Sequence, residues 1–159
     1  MKKRYLAILS IGLLMIDLYT KNLTEQFLKL GESWTVIPGF FDIHYARNTG
    51  GAWSMFDGGW MRPVFLLISV AVSVYVIYTF IKENHPLILL SVTFIFAGNL
   101  GNFYDRLKFQ YVRDMLSFNI FGYDYPIFNF ADICLVVGFG ILFLHIYLEE
   151  RKESIHEEN

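Results

Sequence analysis

Four long apolar stretches constrain this chain more than anything else in it. "YLAILSIGLLMIDLYTKNL" occupies about 5–23, "WMRPVFLLISVAVSVYVIYTFI" 60–81 and "PLILLSVTFIFAGNLGNF" 86–103, and a fourth stretch covers 128–148. A helix needs roughly 20 apolar residues to cross the hydrocarbon core of a bilayer. Inside lipid the backbone has no water to bond, so an apolar segment of this length must be helical. Hydrophobic residues make up 55% of the 159 and charged ones 18%, too little polar surface to cover a globule in water. The expected fold is a membrane all-α bundle of four transmembrane helices, built as one polytopic domain over 1–159.

The connections are unequal. "KENH" joins the second and third stretches, whereas about 24–59 and about 104–127 are long and fall on the same side. The first long loop has strand-like alternation around a Pro-Gly turn in "ESWTVIPGFFDIHYARNTGGAW", so a small β-rich region is expected there. Cationic residues divide almost evenly between the two sides. The "KKR" abutting the first stretch therefore sets the orientation, with both termini in the cytoplasm and the β-rich loops extracytoplasmic. "MKKR" before an apolar run also suits a signal peptide, but no small-residue cleavage site follows, and the first stretch reads as a retained anchor. A net charge of −2 offers no basic face to nucleic acid, and Cys134, the single cysteine, leaves no disulfide framework.

Polar residues gather at one end of the expected bundle. They are Asp17 and Lys21, Asn48, Asn99 and Asn102, Asp105 and Arg106, Asp114, and Asn129 with Asp132. Polar groups at membrane depth face a partner or a cavity. Asp17 and Lys21 stand one helical turn apart and suit an ion pair. Asp105 suits either a cap or loop salt bridge or a place in the cluster, and Asp114 either water or the cluster. Asn129 and Asp132 have the spacing of a helix N-cap with a charge in the first turn. Yet Asp132 sits among Phe128, Phe130, Ile133 and Leu135, where desolvation raises a carboxyl pKa. A second carboxylate nearby would leave the two sharing one proton, which is how aspartic chemistry draws an acid and a base from one residue type. Ala97 and Gly101 form a small-xxx-small helix face, and Gly50 with Gly51 suits a tight turn.

Other chemistries find less support. No histidine lies near a plausible nucleophile: His44 is in the first loop, His85 in the short turn, and His145 and His156 near the end. Magnesium held by Asp105, Asp114 and Asp132 is chemically conceivable, but no phosphate motif accompanies it. A small transporter or binding protein could use the same polar cluster. Against that, the cluster lies at one end of the bundle, and no helix is broken as in inverted-repeat transporters.

Five motifs in order carry a resemblance to a known family. "DLYTK" (17–21) resembles D-x-x-x-K, "NTGGAWS" (48–54) resembles N-x-G-A-A-[FW]-S and "GNLGNFYDR" (98–106) resembles G-x-x-G-N-x-x-D-R. "VRDML" resembles V-V-D-F, and "FNFAD" (128–132) resembles F-N-x-A-D. Over nearly its whole length the chain resembles the lipoprotein signal peptidases, or signal peptidases II. The resemblance implies an intramembrane aspartic endopeptidase of the bacterial cytoplasmic membrane. It would cleave diacylglyceryl-modified prolipoproteins before the lipidated cysteine, at the outer face, as a monomer, with no metal or cofactor and with globomycin as an inhibitor. It further implies Asp114 and Asp132 as the catalytic dyad. Asn48, Asn102, Arg106 and Asn129 would line the substrate site, and Asp17, Lys21, Gly50 and Asp105 would support the architecture. Gly51 stands where the family has alanine, and Arg113 and Met115 flank Asp114 where valine and phenylalanine are common. Arg113 is expected either to turn toward Asp114 and lower its pKa or to point to solvent.

Overall fold

The computed structural model describes residues 2–49 and 61–157. Gly50, Gly51 and the turn expected of them lie outside the described residues. The described chain forms α1 (Lys3–Phe27), β1 (Ser33–Ile37), β2 (Phe41–Asn48), α2 (Arg62–Lys82), α3 (Pro86–Lys108), β3 (Val112–Ile120), β4 (Tyr123–Asp124) and α4 (Phe130–Glu157). All four helices are long and apolar enough to cross a membrane.

Each helix shows why it takes its place. On α1 the buried residues Leu6, Ser10, Leu13, Asp17, Lys21 and Thr24 recur at helical spacing, one stripe facing the bundle. The opposite face leaves Ile8, Ile11, Met15 and Ile16 exposed, as lipid-facing residues should be. Helix α3 is the most enclosed, with 56% of its most apolar window buried, and it packs against each of the other three. Small residues allow that closeness. A Cβ on Gly98 would strike the Ala131 carbonyl of α4, and one on Gly101 would strike the Asp17 carboxylate of α1. Ala97 packs with Leu13 and Cys134 in the same three-helix seam. Asn99 faces the other way, its amide donating to the Ser69 carbonyl at 2.8 Å and to Ser73 Oγ at 2.9 Å, which ties α3 to α2.

The long connections fold together as a four-stranded antiparallel sheet in the order β1-β2-β3-β4. The turn between β1 and β2 contains Pro38-Gly39, with Gly39 at φ +73°. Strand β3 comes from the second long loop, where no strand was anticipated. In "VRDMLSFNI" alternation is confined to Leu116–Ile120, because the first four residues, Arg113 and Asp114 among them, are all buried. One face of that segment is covered by α1 and α3, and the other looks into the site. Between the pairs Ile43↔Leu116 and Ala46↔Asp114 the register slips by one residue, a bulge in β2. Beyond it Asn48 shares a strand face with Ala46 and becomes the diagonal neighbour of Asp114. An isolated bridge, Leu116↔Phe128, then fastens β3 to the residue just before the α4 cap. Phe128 also stacks on Phe118, which stacks on Phe41, so the aromatic residues of the loops pack on one another.

Close packing at Gly101 generates a test. Gly101→Ala should lower the apparent Tm in detergent, the misfit costing about 1–3 kcal/mol. Gly140→Ala, where nothing lies within 4 Å of the added carbon, should leave Tm unchanged or slightly raised.

Candidate active site

At the start of α4 the spacing read from the sequence becomes geometry. Asn129 Oδ1 accepts from the Asp132 amide at 3.0 Å, and Asp132 Oδ2 accepts from the Asn129 amide at 3.1 Å. This is a reciprocal capping box with an aspartate in the usual glutamate place. Capping uses only one carboxylate oxygen. Asp132 Oδ1 accepts from Asn102 Nδ2 of α3 at 2.8 Å, and the half-buried side chain still lines a cavity. The cap and the cavity are therefore served by one residue.

Asp114 reaches the same place from β3. Its Oδ1 accepts from Asn129 Nδ2 at 2.7 Å and its Oδ2 from Asn48 Nδ2 at 3.0 Å. Asn129, fully buried, thus binds both carboxylates, Asp114 through its side-chain amide and Asp132 through its backbone amide. Burial pushes the Asp114 pKa up to about 7, and the neighbouring Asp132 charge pushes the same way, against the two asparagine amides. A cavity of about 330 Å³ opens onto both aspartates and is also lined by Asn48, Asn102 and Arg106. The Arg106 guanidinium lies over the Phe65 ring at 4.9 Å and makes no ion pair among the described residues. A more apolar cavity of about 360 Å³, lined by Phe118, Ile120, Phe128 and Val136 among others, shares Asp132 with the first.

Behind the two aspartates lies a buried charge network. Lys21 Nζ is 2.8 Å from Asp17 Oδ2 and 3.6 Å from Asp105 Oδ2, and it donates to Asn102 Oδ1 at 3.1 Å. Asp17 Oδ1 accepts from the Ala131 amide at 2.9 Å, so an α1 residue helps cap α4. Asp105 stands on the last turns of α3 and receives the Arg113 guanidinium on both oxygens, at 3.2 and 2.8 Å, and the Arg113 amide at 3.0 Å. Arg113 Nη1 also meets Glu25 Oε2 at 3.0 Å and Asn22 Oδ1 at 2.7 Å. Neither orientation expected of Arg113 is found. It is 1% exposed, and it projects from the strand face opposite Asp114. Adjacent residues of a strand point to opposite faces, so Arg113 and Asp114 could not both turn into the site. That alternation was the available signal, and recognising β3 as a strand would have exposed it. Asn22, Glu25 and Tyr45 carried no signal, because their roles as partners of Arg113 or, for Tyr45, of Glu25 at 2.9 Å arise only on folding. The three-aspartate magnesium site does not assemble either, since Asp105 is committed to Arg113 and Lys21 while Asp114 and Asp132 face the cavity.

Similarity to known proteins bears on this geometry. The family model described as signal peptidase (SPase) II matches residues 9–148. The chain belongs to the signal peptidase II family. It is 42% identical over 146 residues to a lipoprotein signal peptidase of Enterococcus faecalis, covering 91% of this chain and 88% of that protein. To a lipoprotein signal peptidase of Staphylococcus haemolyticus it is 39% identical over 154 residues, covering 93% and 95%. A solved bacterial membrane enzyme, determined by the in meso method at 2.3 Å resolution, superposes with a TM-score of 0.84 at 34% identity. That match covers 91% of this chain and 88% of the other. Signal peptidase II membership removes the transporter alternative.

In this signal peptidase II the network behind the site invites a direct test. Arg113→Met would strand Asp105 without its fork and should destabilise the protein by about 3–5 kcal/mol, read as a large fall in Tm and in folded yield in detergent. Arg113→Lys keeps the charge but loses the bidentate fit, and should fall between the two.

Proposed function

We infer that this membrane enzyme removes signal peptides from prolipoproteins as an aspartic endopeptidase, with Asp114 and Asp132 as its reacting pair. The observation that carries the reading is Asn129 holding both carboxylates at the wall of one cavity. The substrate would be a prolipoprotein whose cysteine bears diacylglyceryl, cut on the amino side of that cysteine. The apolar cavity beside Asp132 suits an acyl chain or the apolar signal sequence. The sheet and both long loops would lie at the outer face of the cytoplasmic membrane, with both termini inside, as the basic N-terminus favours.

The two aspartates divide the work according to their surroundings. Asp132 stands at the positive end of α4 and accepts from two N–H donors, a setting that suits the base. Asp114, buried and facing Asp132, has its pKa pushed up to about 7 and serves as the acid. Asp132 draws a proton from a water, whose oxygen attacks the scissile carbonyl carbon. Asp114 donates its proton to the developing oxyanion, giving a tetrahedral diol. Collapse of the diol breaks the C–N bond: the proton held by Asp132 goes to the departing nitrogen, and a diol hydroxyl returns a proton to Asp114, restoring the pair. The products are a signal peptide ending in a new carboxylate and a lipoprotein beginning with the lipidated cysteine's free amine. Asn102 and Asn129 orient the pair, while Asn48 steadies Asp114. Arg106, cationic and facing the cavity, can hold a peptide carbonyl or a lipid ester. Asp17, Lys21 and Asp105 hold the elements that carry these groups.

The test is cleavage of a lipidated precursor, read by gel shift. Asp132→Asn retains a capping oxygen and Asp114→Asn a similar shape, yet each should lower kcat by at least about 10²-fold. Full activity in either variant would remove it from the pair. Because the proton on Asp114 is lost as pH rises through about 7, kcat should fall on the alkaline side of that value. EDTA should leave cleavage unaffected, whereas loss with EDTA and rescue by magnesium would overturn the metal-free chemistry.

A further inference from the structure

At the end of the bundle away from the aspartates, two histidines and a glutamate converge with no part in the chemistry above. His85 is the N-cap residue of α3. His145 and Glu149 stand one turn apart on α4, hence on the same helix face. The His85 and His145 rings lie 4.2 Å apart between centroids at an interplanar angle of 35°. One ligand atom from each of the three residues lies within 4.8 Å of the other two. Both Nδ1 atoms are buried, and neither has a hydrogen-bond partner. Glu149 Oε1 accepts from the exposed Lys152 at 2.7 Å, which leaves the second carboxylate oxygen for another partner.

Two buried ring nitrogens without a partner are costly. The tilted contact between the two imidazoles relieves neither one, and no protein hydrogen-bond partner reaches them. We propose that His85, His145 and Glu149 form a binding site for a divalent transition-metal ion of the zinc class, clamping the end of α3 to α4. Two neutral imidazoles and a carboxylate are a donor set such ions take, with a fourth position open to water. At bond lengths of about 2.0–2.1 Å, tetrahedral ligand atoms lie about 3.4 Å apart. The ligand atoms, within 4.8 Å of one another, would draw together on binding through rotation of the Glu149 side chain and a shift of the rings. No other group of three such side chains among the described residues meets the same spacing. The site lies at the far end of the helices that carry Asn102 and Asp132, so it would brace the α3–α4 pair without touching substrate.

The experiment titrates Co²⁺ into tag-free, metal-stripped protein in detergent micelles, following visible d–d absorption and then displacement by Zn²⁺. One equivalent is expected to bind with a tetrahedral spectrum and to raise the apparent Tm. His145→Ala and His85→Ala should each weaken binding at least tenfold, while His44→Ala should not. If either histidine variant folds poorly, Glu149→Gln, at a more exposed position, should still weaken binding at least tenfold. Signal-peptide cleavage should be unchanged in all these variants, which separates this proposal from the assignment of the aspartate pair. Absence of the absorption bands, or an affinity that none of the three substitutions alters, would overturn it and leave the cluster as a tilted histidine pair beside a surface glutamate.

Discussion

Four charges without solvent hold this molecule's working end together. Lys21, Asp17, Asp105 and Arg113 are each no more than 1% exposed, and their formal charges cancel. Such a group is costly to desolvate and collapses if one member is missing, so it acts as a registration device more than as a source of stability. Here it registers three elements at once. Lys21 and Asp17 belong to α1, Asp105 to α3 and Arg113 to β3. The Arg113 fork on Asp105 places β3, and with it the neighbouring Asp114 on the opposite strand face. Lys21 bonds Asn102, and Asn102 bonds Asp132, so the same network reaches the second aspartate through one amide.

Between that network and the cavity, asparagines do the positioning. An amide can donate and accept together, which lets Asn129 cap α4 with its oxygen while its nitrogen bonds Asp114 and Asn102. Asn102 likewise accepts from Lys21 and donates to Asp132. Neutral side chains tie the charged network to the carboxylates without adding a cation that would hold both aspartates ionised. Burial and the neighbouring Asp132 push the Asp114 pKa up to about 7, as the proposed division of acid and base within the pair requires.

The helical architecture and most members of the polar cluster were legible along the chain because lipid imposes a simple rule. Apolar runs of spanning length must be helices, and polar residues within them must face inward. The reciprocal cap at Asn129 and Asp132 and the Asp17–Lys21 pair were legible for a similar reason, since both depend on local helical spacing. Less could be read where partners are distant. β3 escaped notice because its first four residues are all buried and place Arg113 and Asp114 side by side, which leaves only Leu116–Ile120 to alternate. The position of Arg113 followed from that omission, and Asn99, counted with the cluster, turns instead to α2. Asp105 joins Arg113 only because α3 continues through it and β3 returns alongside.

By itself, then, the sequence determined the solvent this protein lives in, its four helices, and the family to which it belongs, because hydrophobic length and motif order are properties of the chain. Tertiary structure alone decided that Asp114 and Asp132 meet through Asn129, that Arg113 turns from them to Asp105, and that His85 meets His145. Each of those pairs joins residues on different elements, and the choice of partner rests on strand register, helix packing and the cost of leaving a buried polar group alone. That cost depends on which surfaces are covered, and coverage exists only once the chain has folded.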